Sequence, residues 1–281
     1  MALTSEKIKE LEEKARLIRE TIIQMLVAAG SGHTAGSLGM ADIVTAFYFH
    51  ILKHDPKNPA WEKRDRLVLS HGHVCPALYA AMAQAGYFPL EECMTLRKFG
   101  SRLQGHPEHV RLPGIETTSG PLGEGLAQAA GMAYAFRMDG VSGRVTSRQV
   151  YCLMSDGEQD EGSTWEAALF AAKNRLAGLT AILDRNGIQI DGTTEEVMPL
   201  EPLAEKYRAF NWHVIEADGN DIGAFVAAVD EAKTIHNQPT LIIAHTIPGK
   251  GVPEIENEYC WHGRVPTQEE GERFLEAIRH D

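Results

Sequence analysis

For its length of 281 residues the chain is short of basic groups, since 27 Lys and Arg face 39 Asp and Glu and leave a formal net charge of -12. That balance argues against general affinity for nucleic acid or for anionic membranes, while leaving room for a local site that takes a small anion. Cysteine is scarce as well. Cys75, Cys93, Cys152 and Cys260 are scattered without a CxxC pair, so neither a zinc knuckle nor a disulfide framework is indicated, and a reducing cytoplasmic setting is expected. No apolar run reaches the length of a membrane span, and segment 1–13 is too charged for a signal peptide. Internal repeats, low-complexity segments, HExxH and GxxxxGK[ST] are all absent.

What is present is an ordinary globular composition, 43% hydrophobic and 23% charged, in a chain long enough to bury a large core as one domain spanning 1–281. Ile8, Leu11, Ala15, Ile18, Ile22 and Met25 recur at helical spacing and predict an amphipathic entry helix over 5–29, ended by Gly30-Ser31-Gly32-His33. Further helices are expected over 41–52, 76–85, 89–99 and 125–137, with a strand over 66–70 running into His71-Gly72-His73. Residues 101–125, rich in Gly, Pro, Thr and His, form the longest irregular stretch, and a loop of that length is usually functional or disordered. Beyond it strands over 149–154, 179–183, 213–217 and 240–244 alternate with helices over 163–174, 199–210 and 222–236. That alternation implies right-handed crossovers and an α/β fold, a doubly wound, mainly parallel sheet flanked by helices. Runs such as LTAIL and TLIIA are apolar at nearly every position, as strands covered on both faces require.

On this reading the polar residues of interest fall at one edge. His71, His73, Asp156, Asn186, Asp218 and Thr246 all lie just past the carboxyl ends of strands, where open parallel sheets bind ligands. Ser155-Asp156-Gly157-Glu158 is answered thirty positions on by Leu183-Asp184-Arg185-Asn186-Gly187. The Asp supplies a hard carboxylate oxygen, the Gly admits close approach of the backbone to a phosphate, and the Asn adds an amide oxygen. Oxygen-only ligation suits magnesium or calcium rather than zinc. Asp-Gly and Asn-Gly are equally ordinary turn dipeptides, and two tight turns is the alternative. His33, His73, His106 and His262 each sit in a glycine-containing turn, SGH, HGH, QGHPE and WHG, where an imidazole can donate to phosphate or hydroxyl groups and move protons near neutral pH. Taken singly, each could instead be a surface or structural histidine. The stretch 117–125, TTSGPLGEG, is a candidate ligand cradle or a plain helix-entry loop, and Lys250 reads as a loop charge.

In sequence order SGHTAGSLGM, SHGH, GSRLQGHPE, LPGIETTSGPLGEG, SDGEQDEGSTWEA, LDRNGIQIDG and WHG resemble the N-terminal, thiamine-diphosphate-binding half of transketolase, from about Ser31 to His262. Ser155, Thr34 and Glu124 depart from the Gly, Pro and Gln usual in the family at those places. The resemblance implies the diphosphate-binding domain of the thiamine-diphosphate fold, with Mg2+ held by Asp156, Asn186 and the carbonyl of Ile188, and Ca2+ able to substitute. It implies cofactor contacts from His73, Gly157, Asn186 and His262, with Gly120, Pro121 and Leu122 beside the cofactor. His33, His106 and His262 would face the donor's hydroxyls and assist proton transfers, and Glu161 and Glu166 would be catalytic carboxylates at a subunit interface linking paired active sites. The implied reaction is transfer of a two-carbon ketol unit from a ketose, phosphate or sulfonate, to an aldose, with the hard chemistry carried by the cofactor.

The family's pyrimidine-binding and C-terminal domains have no counterpart in these 281 residues. The expectation is therefore an N-terminal subunit of a split transketolase, active only with a C-terminal, pyrimidine-binding partner chain, as an α2β2 heterotetramer. Other thiamine-diphosphate enzymes, of the 1-deoxyxylulose-5-phosphate synthase type or the 2-oxo acid dehydrogenase alpha type, share the Asp-Gly and Asn pair, but the SGH, QGHPE and WHG turns together favour transketolase. A non-catalytic regulatory subunit is the alternative of a different class.

Overall fold

The computed structural model describes residues 3–140 and 148–280. The chain enters through α1 (Ser5–Ala29), capped by the Thr4 hydroxyl, which accepts from Lys7 N–H at 3.2 Å, and closed by Gly30 in a left-handed conformation that returns its N–H to Leu26 O. Helices α2 (Ala35–Gly39) and α3 (Ala41–Ala46) follow. The expected helix over 41–52 is present but changes pitch, passing into a π-helical turn over Phe47–Ile51. Strand β1 (Arg66–Leu69) leads to α4 (Cys75–Gln84), and the irregular stretch before α5 (Gly125–Asp139) is as long as expected. The remainder runs β2 (Val150–Ser155), α6 (Gly162–Lys173), β3 (Leu179–Arg185), a small hairpin of β4 (Ile188–Gln189) and β5 (Gly192–Thr193), α7 (Thr194–Val197), α8 (Leu203–Ala209), β6 (His213–Asp218), α9 (Ile222–Ala232), β7 (Thr240–His245) and α10 (Gln268–His280).

The main sheet has the order β1-β2-β3-β7-β6 and every pairing in it is parallel. Side chains alternate between its faces, as the two-residue period of a strand demands. Leu69, Leu153, Ile182 and Ile242 join the core beneath α1, α3, α4 and α9, whereas Val68, Cys152, Met154, Leu183 and Ile243 join a second core beneath α5, α6 and α8. Each face buries its own apolar layer, which is why the strands read as continuous apolar runs.

Three helices are shorter than their patterns suggested. Residues 89–99 hold only a 3-10 turn over Leu90–Thr95, because Arg97 turns left-handed and gives its N–H to Leu103 O. The helix expected over 199–210 starts at Leu203, after Pro202, since a proline disfavours helical backbone in the residue before it. That expected over 222–236 stops at Ala232, where the Thr234 hydroxyl donates to the Glu231 carbonyl. Helix α10 was not anticipated, although Thr267 and Glu270 form a reciprocal cap and Phe274 and Ile278 share a face. Among the described residues no helix is long and apolar enough to cross a membrane.

Candidate functional site

The carboxyl ends of β2 and β3 and the histidine turns converge on one cavity of ≈ 300 Å³, lined among others by His33, His73, His106, Asp156, Asn186 and His262. Asp156 follows β2 and is held on both oxygens. Its Oδ1 accepts from Gly157 N–H at 2.8 Å, and its Oδ2 from Gly187 N–H at 2.7 Å and Arg185 Nη1 at 3.1 Å. Burial pushes the Asp156 carboxyl above its ordinary value, opposed by the Gly187 N–H and by Arg185. Asn186 follows β3 and is oriented in turn, its Nδ2 donating to Asp184 Oδ2 at 2.9 Å while its Oδ1 accepts from Ile188 N–H at 3.0 Å. The Thr246 hydroxyl donates to the other oxygen of Asp184, whose carboxyl burial pushes up to about 7.

Across the cavity His33 is the centre of a cluster, with ring centroids 5.0 Å from His73, 5.6 Å from His262 and 6.4 Å from His106. His73 stands 5.0 Å from His262. Burial pushes the imidazole of His33 down to about 4, and a proton on His262, the Arg97 cation or a proton on His106 would each act in the same direction. Burial likewise lowers His73, His106 and His262. Four neutral imidazoles so placed can donate to or accept from a polyhydroxylated ligand and can take up a proton. Beneath them lies His71, fully buried, with Nδ1 3.0 Å from the Leu153 carbonyl.

The loop carrying Gly120 and Leu122 is anchored from below by Glu158. This buried carboxylate accepts from Gly123 N–H at 2.6 Å, Ser155 N–H at 3.2 Å and the Ser70 hydroxyl, while Ser70 Oγ accepts from Gly125 N–H at 3.1 Å. Gly123 has a φ of +83°, and a Cβ there would stand 2.5 Å from Ser163 Oγ and 2.7 Å from Glu161 Cβ.

Of the residues singled out from sequence, the cavity gathers His33, His73, His106, Gly120, Leu122, Asp156, Gly157, Asn186, Ile188 and His262. Pro121, Glu161 and Glu166 stand outside its lining and are exposed, Glu161 at the N-cap of α6 and Glu166 on its first turns. Asp218 does not line the cavity; its carboxylate accepts from Asn220 and Asp221 N–H in a turn. Lys250 lines a different cavity, beside α1. Sequence reasoning passed over Glu158 and Arg185, whose importance comes from partners far along the chain, and the hairpin tip Ile190-Asp191, which joins the lining.

The lining suits a divalent ion with a diphosphate. Among the described residues no group of three His, Cys, Asp or Glu side chains is disposed to hold a metal, so an ion here would draw on Asp156 together with amide and main-chain oxygens, a hard donor set. A Cβ on Gly157 would come within 3.3 Å of the Gln189 side chain, so a larger residue there would crowd this side of the cavity. His33 Nδ1 is buried with no hydrogen-bond partner in the protein, as expected of an atom that meets a ligand.

Comparison with known proteins gives a consistent picture. The family model described as "Transketolase, thiamine diphosphate binding domain" matches residues 11–277. The chain is 44% identical over 265 residues to the 6-deoxy-6-sulfo-D-fructose transketolase subunit SqwG of Clostridium sp. (strain MSTE9), covering 94% of each chain. It is 40% identical over 273 residues to an apulose-4-phosphate transketolase subunit of Phocaeicola vulgatus, covering 97% of this chain and 94% of that one. Among solved structures, transketolase from Leishmania mexicana superposes with a TM-score of 0.91 at 32% identity, over 96% of this chain but only 41% of that one.

Proposed function

The chain belongs to the transketolase family, and from that premise we propose that it is the diphosphate-binding subunit of a two-chain, thiamine-diphosphate-dependent enzyme that moves a two-carbon ketol unit from a ketose to an aldose. The observation that carries the reading is the meeting of the Asp156–Asn186 pair with the His33, His73, His106 and His262 cluster in one cavity. Two relatives named as transketolase subunits are matched along nearly their whole length, which supports a partner chain that completes the enzyme. Full-length transketolase has room for that second part, since this chain spans about two fifths of it. The whole of 1–281, α1 included, acts as a single domain, and two copies with two partner chains form the assembly, in the cytoplasm.

Asp156, the Asn186 side-chain oxygen and the Ile188 carbonyl would hold the ion. An all-oxygen set favours magnesium, with calcium also fitting. Gly157, His73 and His262 would contact the diphosphate, and Gly120, Pro121 and Leu122 would lie beside the cofactor. Thiamine diphosphate, when bound, supplies the electron sink for carbon–carbon cleavage. His33, His106 and His262 orient the sugar's hydroxyls and exchange protons with them, a role that needs imidazoles neutral at working pH, the state their burial favours. Glu161 and Glu166, exposed at the N-cap and on the first turns of α6, would face the neighbouring protomer. The relatives' names point to sugars with a phosphate or sulfonate terminus as substrates.

The test is ketol transfer from ketose phosphate and ketose sulfonate donors, measured for the chain, for its partner and for the mixture, with thiamine diphosphate and Mg2+ supplied. Activity is expected from the mixture alone, and Asp156→Ala should abolish it. Full turnover by this chain without a partner, or by the Asp156→Ala complex, refutes the reading.

A further inference from the structure

Arg185 is the last residue of β3, and both terminal nitrogens of its guanidinium are fully engaged. Nη1 donates to the Thr194 hydroxyl at 2.7 Å and to Asp156 Oδ2 at 3.1 Å, while Nη2 donates to Glu195 Oε1 at 3.0 Å and to Glu201 Oε1 at 3.2 Å. The carboxylates that grip it are tied down in turn. Glu195 Oε1 accepts from Leu200 N–H at 3.3 Å, and Glu201 Oε2 accepts from Leu203 N–H at 2.8 Å. Thr194 is buried, and the Arg185 side chain is only 11% exposed. A guanidinium held in this way cannot swing off Asp156 without straining its bonds to Thr194, Glu195 and Glu201, two of them reinforced by charge.

The consequence falls on Asp156. A carboxylate has two oxygens with about four lone-pair sites between them. Gly157 N–H uses one site on Oδ1, whereas Gly187 N–H and Arg185 Nη1 use both sites on Oδ2. What remains is on Oδ1, so this carboxylate can offer an ion a single oxygen and not a chelating pair. The Asn186 amide and the Ile188 carbonyl supply one oxygen each in any case, so of the three proposed ligands only Asp156 could have added a further one. Divalent ions respond differently to that restriction. Mg2+ keeps a near-ideal octahedron with oxygens at about 2.0–2.1 Å, whose right angles a four-membered carboxylate chelate does not meet, whereas Ca2+ takes about six to eight oxygens and accommodates carboxylates bound through both. The positive charge of Arg185 repels the two ions alike, so the blocked oxygen is what tells them apart. We infer that Arg185 is a metal-selectivity residue: by occupying Asp156 Oδ2 it keeps the carboxylate monodentate and sets the site for Mg2+ over Ca2+. It acts through Asp156 and is a positioning residue. The inference rests on reading Asp156, Asn186 and Ile188 as the ion's ligands, and adds to it the identity of the ion and the group that selects it.

The experiment strips the assembled wild-type and Arg185→Met complexes of metal and titrates each by calorimetry with Mg2+ and, separately, with Ca2+, in excess thiamine diphosphate. The readout is the ratio of the two dissociation constants. A looser hairpin or a lost positive charge acts on both ions and cancels in that ratio, so a merely structural role for Arg185 would not move it. Arg185→Met should shift the ratio toward Ca2+ on the order of tenfold, the low end of what a group supporting a metal ligand is worth. An unchanged ratio, or a shift toward Mg2+, overturns the inference. The crystal structure of the wild-type complex soaked with Ca2+ decides the matter even where the methionine variant does not fold. Asp156 bound through Oδ1 alone, with Arg185 still on Oδ2, supports the inference, and chelation through both oxygens or a displaced guanidinium overturns it. If the wild-type complex binds neither ion, the reading of Asp156, Asn186 and Ile188 as ligands falls and takes the inference with it; ions that bind without a shift in the ratio overturn the inference alone.

Discussion

Replacing Glu158 tests whether the cofactor-side loop owes its position to one buried carboxylate. In Glu158→Ala two main-chain donors, Gly123 N–H and Ser155 N–H, and the Ser70 hydroxyl lose their acceptor in a site without solvent. An unsatisfied buried polar group costs about 1–3 kcal/mol, and two main-chain donors together give an expected loss of about 2–6 kcal/mol. Glu158→Gln is the sharper variant because it keeps the shape. Its oxygen can stay on Gly123 and Ser70, but the amide nitrogen then faces Ser155 N–H, donor against donor, so about 1–3 kcal/mol should be lost. Urea unfolding read by circular dichroism measures both variants, and thiamine diphosphate titration of the same samples asks whether Gly120 and Leu122 still line the cavity. The expected order of stability is wild type, Gln, Ala, with cofactor affinity falling in parallel. A glutamine variant with the wild-type midpoint and affinity refutes the argument, since it would mean that the carboxylate is not what ties Ser70, Gly123 and Ser155 together.

Gly125→Ala places a Cβ 2.3 Å from Ser70 Cβ and 2.7 Å from Ser70 Cα, so it should destabilise by about 1–3 kcal/mol or more, seen as a lowered urea midpoint, and an unchanged midpoint would count against the close packing of β1 on α5. Asp184→Ala removes the group that orients Asn186 and should weaken Mg2+ binding about 10–100-fold in a direct metal titration, with no loss if Asn186 holds its place unaided. Stability should also fall with acid. His71 is fully buried and its imidazole is pushed down to about 4, so the unfolded chain takes up a proton below its ordinary 6.5 that the folded chain refuses until about 4. Stability present above pH 6.5 is therefore lost across that window, by roughly 3 kcal/mol for this group, and the drop between pH 7 and 4.5 should shrink in His71→Asn.

How far the sequence could be read depended on the range of the interactions involved. Helix α1 was legible to its last residue because its apolar spacing and its Gly30 stop are both local. The strands were legible because both faces are covered, and the Asp156, Asn186 and histidine turns because their spacing matches a family pattern. Glu158 was not, since its partners Ser70 and Gly123 lie 88 and 35 positions away and only the fold brings them together. Arg185 was visible only as a member of the Leu183–Gly187 stretch, and nothing local shows that it spans from Asp156 to Thr194, Glu195 and Glu201.

The register of the sheet explains why such distant residues make one site. Ser155 lies opposite Asp184 across β2 and β3, and Asp184 lies opposite Ala244 across β3 and β7. Because the strands are parallel and level there, Asp156, Asn186 and Thr246, each one or two residues further on, emerge side by side at the carboxyl edge. A slip of one residue in β3 would turn Ile182 out of one core and Leu183 out of the other, so the apolar alternation that stabilises the fold also holds Asn186 against Asp156. Arg185 then works within that register. Its guanidinium bonds Asp156 on one side and the segment after β5 on the other, tying the hairpin that carries Ile188 to the carboxylate it would share an ion with. The three proposed ligands are thus positioned by the register of the sheet, by Asp184 on Asn186 and by Arg185 on Asp156, contacts the protein makes without an ion.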